Sequence, residues 1–177
     1  MALILGGLAP GTREPMDDRA KAVVREHWDH VHEASGQPFD YAFFDREGFT
    51  YTTEPPSRAV VTARRLDKEK AIPFLAHLHA AFYRDNQDVT DPEILCDQAA
   101  SFGFEREEFA LQLESDIACQ ETQQDFALAR ELGIRGFPCL VGHDGEKLTA
   151  ITMGYQPWNK IGRAIEAWLA SSQSPAA

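Results

Sequence analysis

Three cysteines, Cys96, Cys119 and Cys139, are the side chains of this sequence best suited to covalent chemistry. A thiolate attacks a disulfide or holds a soft metal, and each task demands a particular spacing of partners. The spacings here are 23 and 20 positions, so there is neither a C-x-x-C pair nor a zinc-ligand pattern. Cys139 stands apart because it follows Pro138 directly, in Gly136-Phe137-Pro138-Cys139, where an apolar run begins. One reading makes it a reactive thiol that can enter a mixed disulfide. The other makes it a small hydrophobe at the start of a strand, as free cysteine usually is. No Lys or His adjoins it to stabilise a thiolate, which favours the second reading. Cys96 and Cys119 fall inside helical patterns and read as structural.

The histidines are the other ligand-bearing group. His27, His30 and His32 cluster around Asp29, and positions 27 and 30 share a helix face, so a metal pair is geometrically available. His32, however, lies about 200° round the helix from His30. With Trp28 and Val31 taken as the core stripe, a solvated face without metal is the expectation. His77 and His79 are two apart and cannot face one site together.

The elements that must position these groups follow from periodicity. Ala2 to Leu8 reads as a short buried strand, and 10–16 as loop. From Asp17 the apolar positions Ala20, Val23, Val24, Trp28, Val31 and Ala34 recur at helical spacing, with Gly36 as the stop. Residues 36–56 are rich in Gly, Pro and aromatics, and these rings are expected to plug the base of a helical block. Ser57 is expected to cap a helix carrying Ala59, Val60 and Ala63. A further helix is expected from about Asp67 to Tyr83, with Ile72, Leu75, Leu78, Ala81 and Phe82 on one side. Thr90-Asp91-Pro92-Glu93 is a strong helix start, with Pro92 in the first turn and Glu93 placed to close a capping box. That helix stops at Gly103, and two more are expected over 105–113 and 119–132. Pro138 then stands where a strand begins, the position a residue without an N–H tolerates, and the Phe137–Pro138 bond is a candidate for cis. Asp144-Gly145 between the apolar runs 139–141 and 148–153 predicts a β-hairpin. Gly154 breaks the chain, Trp158 to Leu169 reads as a closing helix, and Ser171 to Ala177 as a frayed tail.

Composition bounds the rest. A chain of 177 residues, 44% hydrophobic and 25% charged, is sized for a single domain over 1–177. Its net charge of −11 argues against binding nucleic acid, which rests on Lys and Arg. No apolar run approaches the roughly 18 residues of a membrane span, and the opening stretch lacks the features of a signal peptide. Sparse, odd-numbered cysteines without an export signal point to the cytoplasm. No cofactor is called for.

The order strand, helices, Gly-x-Pro loop, hairpin, helix resembles the thioredoxin fold in its DsbA-like form, an α/β fold with a helical insertion (15–132 here) between the halves of the sheet. Leu132-Gly133-Ile134-Arg135-Gly136-Phe137-Pro138 is similar to that family's cis-proline loop. Leu8-Ala9-Pro10-Gly11-Thr12-Arg13, Gly36-Gln37-Pro38-Phe39, Ala81-Phe82-Tyr83 and Asp88-Val89-Thr90-Asp91-Pro92 resemble its FrnE-like, predicted protein-disulfide isomerase branch. The resemblance implies a thiol-disulfide oxidoreductase or isomerase whose loop, here Gly136, Phe137 and Pro138, offers a backbone edge to an extended peptide or thiol substrate.

The same resemblance implies a strand and a C-x-x-C helix ahead of the segment at Leu3, and the sequence holds neither. It reads as a truncated or degenerate member with no catalytic dithiol and so no redox cycling. A non-catalytic module that binds peptide or a partner chain stays open beside it, as does a glutathione-handling isomerase or kappa-type transferase relative. Without the central strand, the Leu3–Leu8 and Leu140–Val141 strands would expose free edges, from which a homodimer is expected.

Overall fold

A computed structural model describes residues 1–172, and these form two compact units, Met1–Leu128 and a second that begins at Ala129. The first unit is helical. Helix α1 (Asp18–Ser35) starts where the Asp17 carboxylate accepts the Ala20 N–H at 2.7 Å, and ends at Gly36, whose φ of 70° suits a residue without a Cβ. Its one buried side chain is Trp28, while Val23 and Val31 are exposed. The expected stripe of small apolar residues thus gives way to a single large anchor. Around that indole lie Phe39, Tyr41, Phe43, Phe44, Phe82 and Tyr83, with ring centroids 4.8–6.1 Å away. The aromatics of the 36–56 loop do plug this unit, and a 3₁₀ turn (Tyr41–Asp45) delivers Phe43 and Phe44.

Helix α2 (Glu54–Leu66) begins earlier than expected, since Pro55 and Pro56 occupy its first turn, where no N–H is needed. Ser57 is therefore a buried residue inside the helix and not its cap. Thr53 precedes the helix and works elsewhere: its hydroxyl accepts the Ala9 N–H at 3.0 Å and its own N–H donates to the Ala9 carbonyl at 3.1 Å. Helix α3 (Ala71–His79) continues into one π turn (Ala80–Arg84), with Phe74, Leu78, Ala81 and Phe82 buried but Ile72 exposed. Helix α4 (Pro92–Phe102) is capped by Asp91, which accepts the Glu93 N–H at 2.8 Å, and stopped by Gly103. No capping box closes, because the Glu93 carboxylate pairs with Arg106 at 2.7 Å. Arg106 opens α5 (Arg106–Leu113), and α6 covers Asp116–Glu131.

The expected strand at Ala2–Leu8 is absent: these residues join no ladder among the described residues. Side chains satisfy the backbone instead. The Leu5 N–H donates to Asp125 Oδ2 at 3.0 Å, and Arg64 Nη1 donates to both the Leu3 carbonyl and Asp125 Oδ2 at 2.8 Å. Gly7, at φ 63°, lies so close to Phe126 that a Cβ would overlap the ring.

In the second unit the end of α6 is closed by Gly133 at φ 69°, whose N–H reaches the Arg130 carbonyl at 2.9 Å. A cis Phe137–Pro138 bond follows, as the loop sequence led us to expect. Strands β1 (Cys139–His143) and β2 (Leu148–Met153) pair antiparallel, from Cys139 opposite Met153 to His143 opposite Leu148, with an irregularity at Leu140/Val141. The turn is held by the Asp144 carboxylate, which accepts the N–H groups of Glu146 and Lys147 at 3.0 and 2.8 Å. Helix α7 (Trp158–Ser172) closes the unit, three residues longer than the pattern suggested, and the rest of the predicted frayed tail lies outside the described residues. Gly142 is buried against Trp168, leaving no room for a Cβ.

Two stability outcomes are expected. Asp125→Ala should lower the unfolding free energy in urea by about 3 kcal/mol, because Arg64 and the Leu5 N–H lose their shared partner. A change below about 0.5 kcal/mol would mean that water replaces the carboxylate without cost. Gly142→Ala should cost about 1–3 kcal/mol from overpacking, and Trp168→Leu in the same chain should recover part of it. Strict additivity of the two losses would rule out the contact as the cause.

Candidate functional site

The residues singled out for chemistry separate cleanly in space. Cys96 is buried in α4, and burial pushes its thiol above the usual range, so it holds little thiolate at neutral pH. Cys119 is exposed on α6, and all three cysteines are free. His27, His30 and His32 are solvent-exposed on α1, with the His32 ring Nδ1 2.7 Å from the Gln37 carbonyl. His77 meets Ser101 and stacks on Phe74, whereas His79 packs edge-on against Tyr83, so the two serve different surroundings. Among the described residues no three His, Cys, Asp or Glu side chains are grouped to hold a metal ion.

What remains is the loop at 136–139. Gly133 reverses the chain after α6, and the cis bond turns Phe137 and Pro138 to the surface, where both are exposed. The Pro138 carbonyl accepts the Gly154 N–H at 2.8 Å, which ties this loop to the residue just after β2. Cys139, half-buried, lines an apolar hollow of about 250 Å³ with Leu132, Ile134, Val141, Leu148, Ala150 and Met153. The hollow offers a thiol and otherwise hydrocarbon and thioether, so it can shelter an apolar side chain but brings no general acid or base. The other edge of β1 carries no partner strand among the described residues. A backbone edge beside an apolar hollow can receive an extended chain, by main-chain hydrogen bonds and one buried side chain.

A second hollow, of about 280 Å³, lies in the first unit among Met1–Ile4, Arg64, Lys68, Ala71, Ile72 and Asp125. Its Arg64 and Asp125 already satisfy each other and the backbone, and Lys68 enters no ion pair among the described residues. Sequence reasoning found the loop but did not single out Met153, Tyr155 and Trp158, which are exposed in and just after β2. The signal was available: a hairpin turning at Asp144-Gly145 brings Met153 opposite Cys139.

Thiol accessibility should follow this placement. In native protein, Cys119 is expected to react first with iodoacetamide, Cys139 more slowly, and Cys96 only after denaturation, each read by peptide mass spectrometry. Modification of Cys96 at the rate of Cys119 would contradict its burial.

The family model described as Thioredoxin matches residues 23–157. Among solved structures, the chain superposes with a TM-score of 0.87 on a candidate protein disulfide isomerase from Nitrosomonas europaea. The two are 36% identical over 92% of this chain and 79% of the other. The cytosolic disulfide reductase DsbM from Pseudomonas aeruginosa matches at 23% identity with a TM-score of 0.72, over 96% of this chain and 82% of its own. A structure of DsbM with GSH matches at 0.69, with the same identity and coverage.

Proposed function

We propose, for a chain that belongs to the DsbA-like branch of the thioredoxin superfamily, a role as a thiol-disulfide oxidoreductase or isomerase-like protein. In this role these 177 residues hold an extended polypeptide and carry no C-x-x-C dithiol of their own to cycle. The observation that carries the reading is the loop itself: exposed Phe137 and cis Pro138 lead into the free edge of β1, with Cys139 immediately behind them. Gly136, Phe137 and Pro138 contact the substrate backbone, and the apolar hollow receives one of its side chains.

The chemistry is limited by the thiol count. A Cys139 thiolate attacks one sulfur of a substrate disulfide, forms a mixed disulfide and releases the other sulfur as a thiolate. Completing a redox cycle then needs a second cysteine within reach, and the 177 residues contain no C-x-x-C pair. Only external thiol resolves the mixed species. None of the helices is long and apolar enough to cross a membrane among the described residues. A cytoplasmic location belongs to the same reading, where a reducing thiol pool keeps Cys139 free. The hairpin's unpaired edges support a homodimer formed through sheet edges as its oligomeric form.

The protein is expected to give no insulin reduction and no oxidative refolding of a reduced substrate above the rate of the buffer thiols. In the same preparation, a disulfide-bearing peptide should form a mixed disulfide at Cys139, located by peptide mass spectrometry, which a Cys139→Ser variant loses while labelling of the exposed Cys119 is unchanged. Turnover well above background would overturn the non-cycling part of the reading, and failure of Cys139 to form the mixed disulfide would overturn the thiol's role.

A further inference from the structure

The aromatic core of the first unit holds one indole, Trp28, and three phenols, Tyr41, Tyr51 and Tyr83, among its phenylalanines. A phenylalanine would fill the same space, so the hydroxyls are what packing alone leaves unexplained. Trp28 is 3% exposed. Its ring centroid lies 5.3 Å from that of Tyr83 and 6.1 Å from that of Tyr41, both edge-on. The phenols of Tyr51 and Tyr83 are bonded to each other, and burial pushes both above the ordinary phenol range. Tyr41 is placed differently. It is half-buried at the surface end of the cluster, and its phenol donates to Asp29 Oδ1 at 2.7 Å. Among the described residues no other tyrosine donates to a carboxylate.

These contacts match the needs of one-electron chemistry. Indole and phenol are among the side chains most readily oxidised by one electron. Transfer between rings in contact is fast, because tunnelling weakens steeply with distance. A phenol gives up an electron at low energy only if its proton leaves with it, and the proton moves to an acceptor already within hydrogen-bond reach. Tyr41 meets both demands at once. Its ring lies edge-on against Trp28, and its hydroxyl is bonded to Asp29, the next residue of α1. Electron and proton therefore have separate acceptors on one helix turn. The bond to Asp29 also holds the Tyr41 phenol above its ordinary range, so it keeps its proton at neutral pH until the electron leaves. The Tyr51 and Tyr83 phenols are bonded to each other and, for Tyr51, to the Trp28 indole, none of which takes up a proton as a carboxylate does.

We propose that Trp28, Tyr41 and Asp29 form a radical relay that drains an oxidising equivalent from the aromatic core to the surface, where a small thiol quenches it. A one-electron oxidant of the peroxyl-radical class takes an electron from the Trp28 indole, becoming a peroxide anion and leaving an indole radical cation. Tyr41 returns one electron to that indole and passes its phenolic proton to Asp29 Oδ1, along the existing hydrogen bond. The products are intact Trp28, a neutral Tyr41 phenoxyl radical and a protonated Asp29. Asp29 releases the proton to water, where it balances the peroxide anion. A thiol then gives its hydrogen atom to the phenoxyl oxygen, which restores Tyr41, and two of the resulting thiyl radicals pair as a disulfide. Without this outlet the indole radical would add oxygen and the one large anchor of α1 would be lost. The relay uses neither Cys139 nor the 136–139 loop, so it stands apart from the function proposed above.

The test starts the hole at Trp28. The variant Trp158→Phe/Trp168→Phe keeps Trp28 as the single indole of the chain. A laser flash at the red edge of indole absorption, where tyrosine does not absorb, ionises it, and hexaamminecobalt(III) scavenges the ejected electron. The indole-radical absorption should decay in one first-order step while the phenoxyl absorption grows. Adding Tyr41→Phe, which keeps the ring, should remove most of the phenoxyl yield, whereas adding Tyr83→Phe should leave it unchanged. Asp29→Asn should slow the step about tenfold or more with an unchanged far-UV spectrum, because the amide still accepts the hydrogen bond but takes no proton. Phenoxyl growth that survives Tyr41→Phe, or that is lost in Tyr83→Phe, overturns the route, and an unchanged rate in Asp29→Asn overturns the role of the carboxylate. A second measurement leaves all three indoles in place. Protein exposed to peroxyl radicals from a thermal azo initiator, with 2-mercaptoethanol present, is digested and oxidised Trp28 is read by peptide mass spectrometry. Oxidation of Trp28 should rise several-fold in Tyr41→Phe, and equal oxidation in the two proteins overturns the relay as a protective device.

Discussion

One carboxylate decides how this chain begins. Asp125, on α6, accepts the Leu5 N–H and meets Arg64 of α2, and Arg64 in turn donates to the Leu3 carbonyl. An extended apolar segment must place its backbone polar groups somewhere, and burying them unpaired would cost about 1–3 kcal/mol each. Here the partner is an ion pair rather than a neighbouring strand. That arrangement joins the first residues of the chain to two helices far from them in sequence. A buried pair of this kind adds little net stability over well-packed hydrocarbon, yet it allows only one register for the segment, because sliding Leu5 by one residue would leave both the carboxylate and the N–H unpaired.

Around that clamp the first unit packs by size rather than by pattern. A helix of 18 residues buries one side chain, Trp28, and six rings close over it, so the apolar area that a row of valines would have provided comes from aromatic edges instead. The second unit faces the opposite problem. A lone two-stranded hairpin is marginal in water, and this one gains its support from α7, whose Trp168 fills the space that Gly142 leaves empty. The glycine is thus a packing requirement of the site's own scaffold: β1 stays in position, and with it Pro138 and Cys139.

The loop at 136–139 combines a rigid turn, a free strand edge and a sheltered thiol, with no acid, base or second thiol within the apolar hollow. The acidic residues are gathered in the helical unit, with 24 carboxylates against 12 Lys and Arg in residues 1–128.

Local chemistry was legible in the sequence wherever its cause was local. Asp17 and Gly36, Asp91 and Gly103, Asp144-Gly145 and Phe137-Pro138 each act through bonds to residues a few positions away, and each sits where its type demands. Helix periodicity likewise placed α1 and α3 to α7 within a few residues, and the loop residues that resembled a known cis-proline segment were the right ones. The errors came where a distant partner competed. Glu93 could close a capping box until Arg106 took it, and Ser57 could cap until two prolines filled the turn before it. Ala2–Leu8 had the composition of a strand, but a strand exists only when another backbone lies alongside, and the chain set a carboxylate there instead. In sequence, Met153 ended a strand, Gly154 broke the chain and Trp158 opened the closing helix. The return of this stretch to the cis-proline loop is decided by one ladder and one hydrogen bond, from Gly154 to Pro138, that no window of neighbouring residues contains.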